Sequence, residues 1–257
     1  MAEDYVLGVK TVDVTPPVGT FQGGFAVRTE NSNGVYHPLT ATVIALGDGE
    51  TDVLIGSIEW LGFYDRTDRA RKILSNASGI PAGRILLLGT HTHCGPAIRD
   101  FDARRHGRDK IDETYVTEVL ERLGRVSTEV MRDREAVSLW SGNDWCGFAA
   151  SRCKPDNKEG VLWEPSLDAP HDHEVPVVVA KNGSGEPRLV LFSYACHPTS
   201  TGPITKIGGD YPTFACAYLG RLHPGVTAAF FQGCAGDQKV DARDATGDGF
   251  GRLSIDE

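Results

Sequence analysis

The segment Ile85-Leu-Leu-Leu-Gly-Thr-His-Thr-His-Cys-Gly-Pro96 runs an apolar, strand-like stretch straight into His91 and His93. Side chains two apart on an extended segment point to the same side, so both imidazoles can face one site. A His-x-His pair at a strand end is a common start of a metal site, because neutral imidazole suits Zn2+. A second apolar stretch, 189–196, ends in His197-Pro-Thr-Ser200. Ligands of α/β sheets bind beyond the carboxyl ends of strands, which puts His197 in the same kind of position as His91. Taken alone, His197-Pro198 also reads as a simple turn. Gly208-Gly-Asp-Tyr-Pro212 places Asp210 just ahead of a helix start, where it either caps that helix or orients a histidine from behind. The stretch 230–237 again passes from apolar residues into glycines and an acid, Asp237, so three strand ends carry polar groups. A further pair, His171 and His173, lies between Pro170 and Glu174 and reads as an exposed turn. His106, among Arg104, Arg105 and Arg108, reads as solvated surface.

Positioning these groups requires strands. Apolar and β-branched runs bounded by Gly, Pro and Asp predict them at 5–14, 39–46, 52–60, 84–89, 136–140, 175–180, 188–196 and 226–231. Gly47-Asp-Gly-Glu50 has tight-turn chemistry, so a hairpin and at least one antiparallel pair are predicted. Val116, Val119, Leu120, Leu123, Val126 and Val130 share one helical face, which predicts a helix over 112–133 packed on a sheet. Shorter helices are predicted over 66–76 and from Pro212, whose missing N–H costs nothing at a first helical position. Irregular alternation of strands and helices implies an α/β layered domain with a mixed β-sheet flanked by helices. Residues 99–110 and 142–173 lack periodicity and read as long binding loops.

The 257 residues carry 26 Lys and Arg against 35 Asp and Glu, a net charge of -9 that disfavours a nucleic-acid partner. No run approaches the roughly 20 apolar residues of a transmembrane helix. The acidic N-terminus lacks the basic and apolar regions of a signal peptide, which implies a cytoplasmic protein, or a secreted one trimmed of its leader. Six scattered cysteines without CxxC spacing read as reduced thiols.

Taken in order, Asp13-Val-Thr-Pro-Pro-Val-Gly19, His37-Pro-Leu, Thr90-His-Thr-His with Gly95-Pro96, Cys196-His-Pro-Thr-Ser200, Gly208-Gly-Asp-Tyr-Pro212 and 230–237 resemble the neutral/alkaline, non-lysosomal ceramidase family. The resemblance runs from Gly8 to Asp237 and falls on the family's N-terminal catalytic domain. It implies one domain over 1–257, cut short at its C-terminal end, because the family completes its zinc shell with a glutamate and a tyrosine further downstream. It implies a zinc-dependent hydrolase of a linear amide, with a lipid-like N-acyl substrate and a place in sphingolipid metabolism. His91 and His197 match metal ligands, and His93 matches the histidine beside the attacking water, whereas spacing alone makes His93 a ligand too. Ser151-Arg152 looks like the family's active-site arginine segment. Asp210 and Asp237 remain candidates for a supporting role or a third ligand. Where the family has a serine once proposed as nucleophile, this chain has Lys239 between Asp237 and Asp241, so metal-activated water is the expected attacking group. The alternatives are an incomplete metal-binding or recognition module, or a hydrolase of a small soluble amide or ester.

Overall fold

A computed structural model describes residues 4–105 and 111–241; His106, Arg108 and the polar stretch 242–257 lie outside the described residues. In chain order the elements are β1 (Tyr5–Asp13), β2 (Gly34–Val35), β3 (Thr40–Gly47), β4 (Asp52–Ile58), α1 (Thr67–Ser78), β5 (Ile85–Gly89), α2 (Asp100–Arg105) and α3 (Glu113–Arg132). They continue with β6 (Glu135–Trp145), β7 (Ala149–Ser151), β8 (Lys154–Asp156), β9 (Gly160–Leu162), β10 (Glu174–Lys181), β11 (Pro187–Tyr194), β12 (Lys206–Ile207), α4 (Tyr211–Leu222), β13 (Thr227–Gln232) and β14 (Gln238–Val240).

Eight strands form one mixed sheet in the order β13-β11-β10-β6-β1-β3-β4-β5. Its interior pairs are antiparallel, including the predicted β3–β4 hairpin, and both of its ends are parallel pairs, β4–β5 and β11–β13. Each parallel pair needs a crossover, and each has a helix: α1 joins β4 to β5, and α4 lies between β11 and β13. The sheet curls until β13 also packs against β1, β4 and β5, where the Ser57 hydroxyl donates to the Phe230 carbonyl at 2.7 Å.

One face of β1, β3, β4 and β5 is covered by α1 and α3. There Val43, Leu54, Ile58 and Ile85 meet Leu74 of α1 and the predicted Val116–Val130 stripe of α3 in one buried cluster around Trp60. Asp112 caps α3 by accepting from the Tyr115 N–H. The other face of the curled sheet closes on itself, with Leu7, Ile44, Val137, Ala180, Leu189 and Ala229 between its halves. All six cysteines are free thiols. No helix among the described residues is long and apolar enough to cross a membrane.

Three local readings differ. β6 extends to Trp145, pairing with Glu174 of β10, rather than ending near residue 140. Its last residues are exposed, so backbone pairing holds them and no burial pattern announced the strand. Residues 100–105 form the short α2 inside the expected loop. Residues 238–240, the start of the polar, Gly-rich stretch after Asp237 in which the sequence suggests no closing element, pair antiparallel with β7 and bury Gln238 and Val240.

Candidate metal centre

β5 delivers its histidines through a strained turn. Thr90 and His91 continue alongside β4 by donating their N–H groups to the carbonyls of Ile58 and Trp60 at 2.8 and 3.0 Å. His91 then adopts φ 69°, the left-handed region that a residue with a Cβ rarely enters. This turn brings its Nδ1 within 2.7 Å of the Leu61 carbonyl. A carbonyl only accepts, so Nδ1 carries the proton and Nε2 presents a lone pair. His197, beyond β11, repeats the arrangement: Nδ1 donates to the Ala235 carbonyl at 2.7 Å.

The two Nε2 atoms face each other at 3.1 Å. Neither has a proton to share, and two lone pairs at that distance call for a cation between or beside them. Tetrahedral zinc with bonds of 2.0–2.1 Å would hold two nitrogens about 3.3 Å apart, so the spacing suits a shared ion. His93 completes the cluster: one ring nitrogen from each of the three histidines lies within 4.8 Å of the others. Both nitrogens of His93 are buried without a hydrogen-bond partner, an omission that a metal or substrate would remedy.

Packing, in place of hydrogen bonds, sets the His93 ring. The Gly24 backbone, at φ +96°, passes so close that an added Cβ would lie 2.6 Å from the ring, and Phe25 meets it edge-on at 5.0 Å between centroids. Arg28, only 3% exposed, staples this loop down. Its Nη1 donates to the carbonyls of Gly23 and His93, both at 2.9 Å, and its Nε to that of Ile204 at 3.2 Å. Among the described residues it has no ion-pair partner.

Burial pushes all three imidazoles toward the neutral form. It carries His93 far below its usual range, helped by the neighbouring His91, His197, Arg28 and Arg152 charges. It lowers His197 to about 4 against the opposing Ala235 hydrogen bond, and lowers His91 in the same direction. Neutral imidazole is the metal-binding form.

Arg152 borders the cluster closely enough for its charge to act on all three histidines. Its Nε and Nη2 donate to the Gly236 carbonyl at 3.0 and 2.6 Å, and its guanidinium lies 4.3 Å from the Trp163 ring centroid. The two acids do not join the cluster. Asp210 is fully buried and accepts from the Ser200 hydroxyl, Thr201 and the Tyr211 N–H, so it caps α4 and pins the 200–201 turn. The orienting role behind His91 and His197 falls to the carbonyls of Leu61 and Ala235. Asp237 is exposed and accepts the Arg152 N–H with its main-chain carbonyl. His171 and His173 bond the carbonyls of Ala169 and Ala149 and stay apart from the cluster. Lys239, on β14, is bridged through its backbone to His197. Sequence reasoning passed over Gly24, Phe25 and Arg28, although the Gly23-Gly24 pair is a signal of close backbone approach.

A cleft of about 130 Å3 opens on His91 and His93 between Phe25, Leu61, Arg99 and Phe101. The fold and site together define an α/β layered protein with a histidine cluster at the carboxyl ends of its strands. No protein-family model matches the chain, and no curated relative matches it in sequence. Solved structures do. A ceramidase complexed with C2 superposes with a TM-score of 0.77 at 16% identity, over 93% of this chain and 39% of that one. A neutral ceramidase from Pseudomonas aeruginosa gives 0.74 at 17%, over 93% and 40%. The protein therefore shares their fold while spanning about two fifths of their length.

Proposed function

We propose that this protein is a zinc-dependent amide hydrolase acting on a linear, lipid-like N-acyl amide in the manner of ceramidases. The observation that carries the reading is the pair of inward-facing Nε2 atoms of His91 and His197, each fixed by a carbonyl behind it. The superposition on ceramidases and the resemblance in motif order support the substrate class. When bound, zinc supplies a Lewis acid that polarises the amide carbonyl and lowers the pKa of water toward neutrality. His91 and His197 hold the ion. His93, with both nitrogens free, takes a proton from water and passes it to the leaving amine, or serves as a third ligand. Arg152, held over the Trp163 ring, donates to the developing oxyanion or a polar head group. Lys239, flanked by two acids, plays no nucleophilic part. By the same reading, residues 1–257 represent part of a ceramidase-like N-terminal catalytic domain.

The test is metal content by elemental analysis and release of fatty acid from a short-chain N-acyl amino alcohol. His91→Ala and His197→Ala are each expected to lower zinc affinity at least a hundredfold and to abolish turnover, while His93→Ala keeps most of the metal if it is a proton carrier and loses it if it is a ligand. Stoichiometric zinc without turnover of any amide would favour a metal-binding module instead.

A further inference from the structure

Beneath α4 lies a cavity of about 350 Å3 that shares no lining residue with the histidine cluster. Its volume falls at the small end of the roughly 300–1,000 Å3 of ligand pockets. Its lining is mixed in chemistry. At one end Thr40, Glu59, Thr90 and Thr213 line it, and the last three are 5%, 4% and 5% exposed. The rest of the wall combines Ala217, Val226 and Phe230 with Thr11, Thr42 and Ser57, whose hydroxyls bond one another or the Phe230 carbonyl.

The polar end is rich in acceptors. Glu59 takes hydrogen bonds from the Thr40 N–H and hydroxyl at one oxygen and from the Thr213 hydroxyl at the other. These hydroxyl protons are spent on the carboxylate, so the oxygens have only lone pairs left to offer. Among the described residues no cation pairs with Glu59. The Thr90 hydroxyl is buried with no hydrogen-bond partner, although it lines the same space. The close seat of α4 on this end depends on Gly209, where an added Cβ would lie 2.3 Å from Glu59 Oε1. Burial, against the Thr40 hydrogen bonds and with a smaller push from the Asp13 charge, raises the Glu59 carboxyl to about 7, the cost of an acid enclosed without a positive partner.

We propose that this cavity is a binding site for a small amphiphilic primary amine, its ammonium group on Glu59 and the Thr40, Thr90 and Thr213 hydroxyls and its hydrocarbon body against Ala217, Val226 and Phe230. An ammonium carries three donors and no acceptor, the complement of this polar end, and a buried carboxylate is stabilised by a charged hydrogen-bond donor. A bare alkali ion would satisfy the carboxylate and leave the apolar wall of Ala217, Val226 and Phe230 uncovered. The site does not depend on the metal chemistry proposed for the histidines, so either can fail alone.

Isothermal titration of the full chain with n-butylammonium, 1-butanol and potassium chloride at constant ionic strength tests it. Saturable one-to-one binding of butylammonium is expected, with butanol at least tenfold weaker and no saturation by potassium. Glu59→Gln removes the charge at constant volume and should weaken butylammonium at least about tenfold, the weight of a hydrogen bond to a charged group. Thr90→Val should weaken it less. Because Glu59 is buried, Ala217→Trp provides a second route: Ala217 sits at the exposed mouth, so the bulky ring closes the cavity without disturbing the core, and binding should vanish. Absence of saturable butylammonium binding overturns the proposal. So does undiminished binding by Glu59→Gln or Ala217→Trp, equal affinity for butanol, or displacement of butylammonium by potassium.

Discussion

The two ends of the eight-stranded sheet repeat one unit, two parallel strands with a helical crossover, and each releases a histidine beyond a strand end. They are packed differently. At the β4–β5 end, α1 buries Ala70 and Leu74 and leans on α3, so the strands rest on a closed hydrophobic core. At the β11–β13 end, α4 buries only Pro212 and Thr213, leaves Phe214, Tyr218 and Leu222 about half exposed, and roofs a cavity with a polar end. The first end acts as a platform that can tolerate a strained residue at His91. The second keeps room beneath its helix. The histidine cluster spans both, so its geometry depends on the sheet that joins them.

Core deletions should show the contrast most strongly. Leu74→Ala is expected to cost about 3 kcal/mol in urea denaturation, within the range for a fully buried leucine, while Leu222→Ala at the equivalent helix should cost less than about 0.5 kcal/mol. Equal costs would mean that the two ends are packed alike. Within the first end, His91 is fixed by a hydrogen bond and His93 by packing alone. Arg28→Lys, which cannot reproduce the forked contacts to three carbonyls, should lower cobalt affinity about tenfold in a spectroscopic titration, as removal of supporting contacts around a metal site does. Gly24→Ala should act in the same direction by pressing on the ring, whereas an unchanged spectrum in both variants would remove the loop from the site.

Acid should weaken the metal-free protein through both ends. In the native state the imidazoles stay neutral well below their unfolded value of about 6.5, so in that window the unfolded chain binds more protons and stability falls as pH drops. For His197 the loss develops between about 6.5 and its native value of about 4. Glu59, raised to about 7 by burial, gains stability over the same window and opposes this loss, so the difference between variants is the readout. From pH 7 to 4.5 the urea midpoint of the parent should lose more, or gain less, than that of His197→Gln, and parallel profiles would contradict the burial of a neutral His197. The smallest effect is expected at Lys239→Ala, for which turnover should stay within about twofold of the parent in a steady-state assay, because water is the expected attacking group.

Much of this architecture was legible beforehand because it is local. Strand runs between Gly, Pro and Asp, the Gly47–Glu50 turn and the apolar stripe of α3 each arise from backbone chemistry or periodicity within a few residues, and they appear where they were expected. The end of β6 did not, because its exposed residues are held by pairing with a strand some thirty positions away. The candidate site divides along the same line. Residue type and the run into a strand end were enough to single out His91, His93 and His197. That Asp210 caps α4 while two carbonyls orient the imidazoles, that His93 is wedged by a loop seventy residues earlier, and that Glu59 is enclosed under α4 were decided by the tertiary structure. Those contacts join segments far apart in the chain, and which carbonyl, glycine or carboxylate meets a given side chain depends on how the sheet curls, a property that no short stretch of sequence encodes.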